Sequence, residues 1–151
     1  MNYLYDTNIL AFIIKQVPEI EKLEKEITHD TGALRIISIV TKAEIETLAV
    51  LFDWGEKKRE QLTNLLEQFL IIPIDSEQIV AAYVEIDTFS QGKHPNKSSG
   101  LSARNMGKND LWIAATALVT DSTLLTSDGD FNHLNGVFIP VKKLRISKSK
   151  A

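Results

Sequence analysis

Five short apolar runs alternate with helical patterns along this chain, and that alternation constrains the fold more than any other feature. The runs are rich in Ile, Leu and Val, which is typical of strands buried on both faces. Between them, apolar residues recur three or four positions apart, which predicts amphipathic helices. We therefore expect an α/β fold in which a five-stranded, mostly parallel central sheet carries helices on both faces. The predicted strands cover residues 3–5, 33–39, 70–74, 123–126 and 137–141.

Capping residues predict where several helices begin. Thr41 followed by Glu44 matches a capping box, so we expect a helix to open there and to end before Gly55. Ser76 and Asn109 are each placed to cap a further helix, the second of which is the most apolar of the chain.

The composition is that of one ordinary globular domain. The 151 residues are 44% hydrophobic and 25% charged, and a chain of this length can bury about 70% of its unfolded surface. The absence of cysteine excludes disulfides and thiolate metal sites. No basic segment leads into an apolar stretch at the start, and no apolar run reaches the roughly 18 residues of a membrane span. We expect a single cytoplasmic domain over residues 1–141 and a basic tail over residues 142–151.

Basic residues are concentrated in two segments of an otherwise acidic chain. The net charge is −3, but five of the 17 basic residues lie in the last ten positions, which leaves 12 basic against 20 acidic residues elsewhere. A second group lies in residues 91–108, whose Gly, Ser, Pro and Asn content predicts a long loop. Such clusters are phosphate-binding in some proteins and only solvated surface in others. In the loop, the candidates for contact with phosphate groups are Lys93, Lys97, Arg104 and Lys108.

Acidic residues occur where predicted strands meet predicted helices. Asp6 follows the first strand, and Glu44 and Asp110 stand near the starts of two helices. Asp128 and Asp130 follow the fourth strand. If the first and fourth strands are neighbours at the switch point of the sheet, Asp6 and Asp128 emerge side by side at its carboxyl edge, where such folds bind ligands. Each acid also has a structural explanation, as a helix cap, as a charge favoured by the helix dipole or as a turn residue beside glycine.

The repetition of these acids at successive strand–helix boundaries favours a metal site. Independent caps have no reason to share one edge of a sheet, and several carboxylates in close contact repel each other unless a cation neutralises them. Oxygen ligands without cysteine, and with all three histidines outside these motifs, favour Mg²⁺ or Mn²⁺ over zinc. The predicted metal ligands are Asp6, Glu44, Asp110, Asp128 and Asp130.

The motifs resemble those of the PIN-domain ribonucleases, and within them the VapC-type toxins of bacterial toxin–antitoxin pairs. The resemblance rests on residues 5–8 (YDTN), 38–44, 109–115 and 126–131 and extends to about residue 141. It implies a PIN-like three-layer sandwich whose acidic residues bind one or two Mg²⁺ or Mn²⁺ ions and hydrolyse RNA phosphodiester bonds. It also implies a small antitoxin as a partner and a homodimer as the assembly. With RNA as the substrate, the basic residues of the 91–108 loop are the candidates for contact with its phosphates: Lys93, Lys97, Arg104 and Lys108.

The resemblance also implies roles for individual residues. The catalytic quartet is Asp6, Glu44, Asp110 and Asp128. Asp130 matches a further acid of the family, and whether Asp128 or Asp130 contacts the metal stays open. Glu44 binds the metal through a water or acts as a base. The polar neighbours that support the quartet through hydrogen bonds are Thr7, Asn8, Asn109, Thr126 and Ser127.

Two other functions are compatible with the same pattern. A PIN-like scaffold can bind RNA or a protein without cutting, since a fold does not guarantee activity. A receiver-type phosphoacceptor domain also collects acids around Mg²⁺, and here Asp75 follows the third strand and Lys142 the fifth. Receiver domains carry paired acids after their first strand, however, where Asp6 stands alone. The sequence does not choose among tRNA, rRNA and mRNA as the RNA.

Overall fold

The core of the structure is a five-stranded sheet in which every strand pair is parallel. The computed structural model describes residues 1–147. The strands are β1 (Asn2–Tyr5), β2 (Leu34–Ser38), β3 (Leu70–Ile72), β4 (Ser122–Thr126) and β5 (Val141–Lys143). Their order is β3-β2-β1-β4-β5. The first and fourth strands are therefore neighbours, which is the arrangement that places Asp6 and Asp128 side by side. The switch point therefore lies between β1 and β4.

Within residues 1–147, six α-helices cover the two faces of the sheet and complete three layers. They are α1 (Thr7–Ile14), α2 (Pro18–Thr28), α3 (Ile39–Leu51), α4 (Glu56–Leu66), α5 (Glu77–Ser90) and α6 (Lys108–Val119). A short 3₁₀ helix, Gly129–Leu134, follows β4. No helix in this part of the chain is long and apolar enough to span a bilayer. The predicted α/β architecture is confirmed.

Successive strand residues face opposite halves of the core. Tyr5 and Leu125 pack with residues of α1 to α4, whereas their neighbours Leu4 and Leu124 pack with residues of α5 and α6. All four side chains are fully buried. Strands covered on both faces are apolar along most of their length, which explains the apolar runs in the sequence.

The fifth strand is displaced from its predicted position at residues 137–141, because β5 begins only at Val141. The amides of Val137 and Phe138 both donate to the Leu134 carbonyl at 3.1 Å, so the start of this segment turns back onto the 3₁₀ helix. Pairing with β4 begins only at the Pro140 carbonyl, which accepts the amide of Leu124 at 2.9 Å. The segment is apolar because it contributes to the core rather than because it forms a strand: Phe138 packs against the half of the core beneath α5 and α6. The predicted bounds of this strand were wrong.

The helix α3 begins before its predicted capping box. The Ser38 hydroxyl accepts the amide of Val40 at 3.1 Å and thereby caps the helix. Thr41 lies inside the helix with its side chain buried, so it caps nothing. The capping-box prediction was wrong, and Glu44 is left free to reach another part of the molecule.

The helix α6 also begins before its predicted cap. Gly107 occupies the N-cap position without a side-chain hydrogen bond, and Asn109 lies in the first turn. By contrast, the prediction that Ser76 caps α5 is confirmed, because its hydroxyl accepts the amide of Ile79 at 3.2 Å. The side chain of Asn109, like that of Glu44, is thus available for contacts across the fold.

Candidate metal centre

Four acidic side chains from separate elements line one open cleft at the carboxyl edge of the sheet. Asp6 follows β1 and Asp128 lies just beyond β4, while Glu44 and Asp110 belong to α3 and α6. The cleft has a volume of about 660 Å³. The rest of its wall consists of Thr7, Asn8, Val40, Ala43, Thr47, Leu48 and Asn109. The structure therefore brings together the four acids of the predicted quartet, whereas Asp130, the fifth predicted ligand, does not line the cleft.

Asp6 is the most buried of these acids, with only 4% of its surface exposed. Its Oδ1 accepts the amide of Thr7 at 2.8 Å, and its Oδ2 accepts the hydroxyl of Thr126 at 2.7 Å. The first bond makes Asp6 the N-cap of α1, as its structural explanation predicted. Because each carboxylate oxygen has two lone pairs, both oxygens can still accept a further bond or bind a cation.

Glu44 is held by hydrogen bonds from two other helices. Its Oε1 accepts the hydroxyl of Thr7 at 2.7 Å, and its Oε2 accepts the side-chain amide of Asn109 at 3.3 Å. Thr7 belongs to α1 and Asn109 to α6, so these bonds join three helices around one carboxylate. Glu44 thus faces the cleft rather than the start of its own helix.

Among the described residues, Asp110, Asp128 and Asp130 form the one group of acids whose oxygens converge. Each offers one carboxylate oxygen, and the three atoms lie within 4.8 Å of one another. The Oδ1 of Asp128 accepts the amide of Asp130 at 2.9 Å, while the amide of Asp128 donates to the hydroxyl of Thr126 at 3.0 Å. Thr126 also donates to Asp6, so one threonine fixes the turn that carries this group and the buried acid beside it.

The pKa values of two acids are raised by burial and by mutual repulsion. Burial raises the pKa of Asp6 to about 6, and neighbouring carboxylates add to this effect, although the two hydrogen bonds that Asp6 accepts oppose it. Burial likewise raises the pKa of Asp110 to about 7, and the charges of Asp6 and Asp128 raise it further. The cleft therefore contains more negative charge than its surroundings compensate, which is typical of a cation or catalytic site.

The available ligand atoms fit a hard divalent cation. Mg²⁺ and Mn²⁺ prefer carboxylate oxygens, which Asp110, Asp128 and Asp130 present at close range. A divalent cation would also neutralise the charge that raises the pKa of Asp110. His133 does not belong to the group, because its Nε2 forms a 2.7 Å hydrogen bond with the Ser90 hydroxyl.

The predicted polar neighbours divide into those that contact the acids and those that do not. Thr7, Asn109 and Thr126 each donate a hydrogen bond to a carboxylate of the cleft. Asn8 lines the cleft, but within residues 1–147 it forms no hydrogen bond with an acid. Ser127 lies in a separate groove formed with residues near the carboxyl end of the described chain.

None of the four predicted RNA-binding residues lines the cleft itself. Lys108 begins α6, whose first turn carries one of the acids. The ammonium of Lys97 lies 4.4 Å from the centre of the Phe138 ring, a cation–π contact. Lys93 and Arg104 are exposed on the segment between α5 and α6. None of the four lines the cleft, so their contact with RNA stays a prediction.

The sequence motifs missed the wall that α3 contributes to the cleft. Val40, Ala43, Thr47 and Leu48 line it on the same side as Glu44. These five positions recur three or four residues apart, so they form one face of the helix. This spacing of three or four residues around Glu44 can be read from the sequence. The same spacing, however, also predicts an ordinary buried helix face.

The topology is incompatible with a receiver domain. Receiver domains have the strand order 2-1-3-4-5, whereas here β3 lies at the edge of the sheet beside β2. Asp75 is exposed and does not line the cleft, and the Lys142 ammonium forms an ion pair with Glu26 at 2.8 Å. The receiver interpretation was wrong.

Fold and site together define a class of three-layer α/β proteins with a carboxylate cleft at the switch point. Residues 3–137 match the PIN domain. Ribonuclease VapC1 of Haemophilus influenzae (strain R2866) is 32% identical to this chain over 133 residues, which cover 83% of this chain and 86% of VapC1. The chain belongs to the PIN-domain family, and the resemblance inferred from its motifs is confirmed.

Solved structures show the same fold. VapBC2 from Rickettsia felis, bound to a DNA fragment from its promoter, aligns with a TM-score of 0.77 over 95% of this chain and 99% of that one, at 23% identity. A toxin–antitoxin complex from Klebsiella pneumoniae aligns with a TM-score of 0.65 over 93% of this chain and 96% of that one, at 21% identity. The PIN-like sandwich is thus confirmed.

Proposed function

We propose that this protein is an endoribonuclease that requires Mg²⁺ or Mn²⁺, and that it is the toxin of a toxin–antitoxin pair. The observation that carries the proposal is the convergence of carboxylates from separate elements in one open cleft, where their negative charge is not compensated. Membership of the PIN-domain family and similarity to a ribonuclease support it. A scaffold that only binds a partner has no need for this unfavourable arrangement of charge.

In this proposal the acids of the cleft hold the metal ion. Asp110 and Asp128, together with Asp130 on the same turn as Asp128, would bind it directly, since their oxygens converge. Asp6, fixed beside them by its two hydrogen bonds, completes the negative wall. When bound, a divalent ion supplies a more acidic water and neutralises charge on the phosphate.

Glu44 has a separate proposed role, in handling the water that attacks the phosphorus. Hydrogen bonds from Thr7 and Asn109 set its orientation and leave lone pairs on both oxygens. A carboxylate held in this way can accept a proton from that water, or bind the ion through a water. Asp6, Glu44, Asp110 and Asp128 are therefore the proposed catalytic quartet.

The partners are proposed from the nature of the relatives. One structural neighbour is a toxin–antitoxin complex, and another is a VapBC assembly bound to promoter DNA. By analogy, this protein pairs with a cognate antitoxin, forms a homodimer and acts on cytoplasmic RNA, with tRNA among the candidates.

The proposal is tested by incubating the purified protein with a mixed RNA panel in Mg²⁺, Mn²⁺ or EDTA. We expect cleavage by the wild type only with metal, and a rate at least about 100-fold lower for Asp6→Asn, which removes a charge of the cleft and keeps one of the two hydrogen-bond acceptors. Circular dichroism and thermal unfolding verify that the variant folds.

Asp121→Asn is the matched control for that experiment. Asp121 is exposed, lies outside the cleft and has a φ of 51°, a conformation that Asn adopts readily. We expect it to cut at the wild-type rate. Metal-dependent cleavage by Asp6→Asn at that same rate would contradict the proposed site, and the absence of cleavage by the wild type with any RNA and metal would contradict the proposed activity.

A further inference from the structure

The described part of the basic tail, residues 142–147, is fixed to the sheet and to α2. The amide of Leu144 donates to the Thr126 carbonyl at 2.7 Å, and the Leu144 side chain packs against the core. Further along, the Ser147 hydroxyl donates to Glu19 at 2.7 Å. Lys143 pairs in register with Thr126, at the end of β4 that leads into the acidic turn. The basic residues beyond Ser147 lie outside the described part of the chain.

Lys142 and Lys143 of the basic tail have different surroundings. The Lys142 ammonium forms an ion pair with Glu26 on α2 at 2.8 Å. The Lys143 ammonium lies beside the turn that joins Asp128 to Asp130, because a Cβ placed on Gly129 would be only 3.4 Å from it. Among the described residues, neither Lys143 nor Arg145 forms an ion pair. Their charges are therefore available to a ligand beside the acidic cleft.

Both side chains line a groove next to that turn. This C-terminal groove has a volume of about 500 Å³ and is formed by Phe12, Ser127, Lys143, Leu144, Arg145 and Ile146. It combines two cations, a hydroxyl and an aromatic ring, which are the groups that single-stranded nucleic acids bind through their phosphates and bases. Ser127 directly precedes Asp128, so the groove and the acidic cleft are adjacent along the edge of the sheet.

We propose that the C-terminal groove binds one nucleotide of the RNA beside the bond that is cut. Lys143 and Arg145 contact its phosphates, and the Phe12 ring stacks on its base. The acids of the cleft repel a polyanion, so cations at the border of the cleft are needed to hold the strand across it. This inference rests on the proposed ribonuclease function.

The experiment measures the affinity of a labelled single-stranded RNA at several salt concentrations, in EDTA so that no cleavage occurs. For the double variant Lys143→Gln/Arg145→Gln we expect an affinity at least about 10-fold lower at low salt. The slope of log affinity against log salt should become shallower by about 0.7 for each phosphate that the variant no longer neutralises. Phe12→Leu should weaken binding about 5-fold without changing the slope, because stacking carries no charge.

Lys142→Gln is the matched control, since it removes one positive charge at the neighbouring position, from a side chain that is itself paired with Glu26. It should leave both affinity and slope unchanged. If the wild type binds and cuts RNA but the double variant keeps the wild-type slope, or if Lys142→Gln weakens binding as much, the groove is not the binding site and the ribonuclease proposal stands. A wild type that neither binds nor cuts RNA overturns both proposals.

Discussion

At the residue scale, two threonines organise the acidic cleft. Thr7 donates its amide to Asp6 and its hydroxyl to Glu44, and Thr126 links Asp6 to the turn that begins at Asp128. Each threonine therefore contacts two acids that come from different elements. Because these hydrogen bonds fix carboxylates that would otherwise move apart, the cleft keeps its unfavourable charge in a defined geometry.

One prediction concerns the effect of that charge on stability. In the metal-free protein the pKa of Asp110 is about 7, well above that of an unfolded chain, near 3.9. Its charge therefore destabilises the fold fully above about pH 7 and not at all below about pH 4, so stability falls as the pH rises between these values. We expect Asp110→Asn to stabilise the metal-free protein at pH 8 by about 1–2 kcal/mol, a value reduced for partial exposure.

Thermal unfolding at pH 4 and at pH 8, in EDTA, measures this effect. The variant should unfold about 2–6 °C above the wild type at pH 8 and at the same temperature at pH 4. Asp53→Asn, which changes an exposed acid with a φ of 49°, is the control and should show no pH-dependent difference. An Asp110→Asn variant that is less stable than the wild type at pH 8 would contradict the prediction, because it would show that the negative charge of Asp110 stabilises the fold.

At the scale of single elements, α3 starts at a cap on β2 and contributes one face to the cleft. The Ser38 hydroxyl caps the helix where it leaves β2, and the helix face that contains Val40, Glu44 and Leu48 lines the cleft. Thr41 contributes little to this arrangement, because its hydroxyl lies 3.5 Å from that of Thr7, long for a hydrogen bond between hydroxyls.

The corresponding prediction compares two single substitutions in this helix. Ser38→Ala should lower the free energy of unfolding by about 1 kcal/mol, since it removes the cap, whereas Thr41→Val should lower it by less than about 0.5 kcal/mol. Urea unfolding at neutral pH measures both values. A larger decrease for Thr41→Val than for Ser38→Ala would restore the capping-box interpretation of the sequence.

The sequence predicted the existence and type of these elements better than their ends. Periodicity identified α3 and β4 because burial imposes it along the whole element. The starts of α3 and α6 were misplaced because Ser38 and Gly107 compete with equally plausible caps nearby, and only the folded backbone decides between them. The fifth strand was misplaced because core-filling residues after a turn have the same apolar pattern as a strand.

At the scale of the whole molecule, the strand order brings distant residues to one edge. The neighbouring positions of β1 and β4 place Asp6 beside the turn that carries Asp128, which fold logic predicted. The C-terminal groove was not predictable in the same way, because Phe12 and Lys143 are separated by almost the whole chain. No local motif connects them, and only the assembled sheet shows that they face one space.

The central claim is that the acidic cleft binds a divalent cation, and a calorimetric titration of the metal-free protein with Mn²⁺ tests it most directly. Binding should be at least about 10-fold tighter near pH 7.5 than near pH 5.5, because acids with pKa values of about 6 and about 7 must lose their protons first. The double variant Asp110→Asn/Asp128→Asn should not bind the ion. Absence of binding by the folded wild type, or equal binding by the double variant, would contradict the claim.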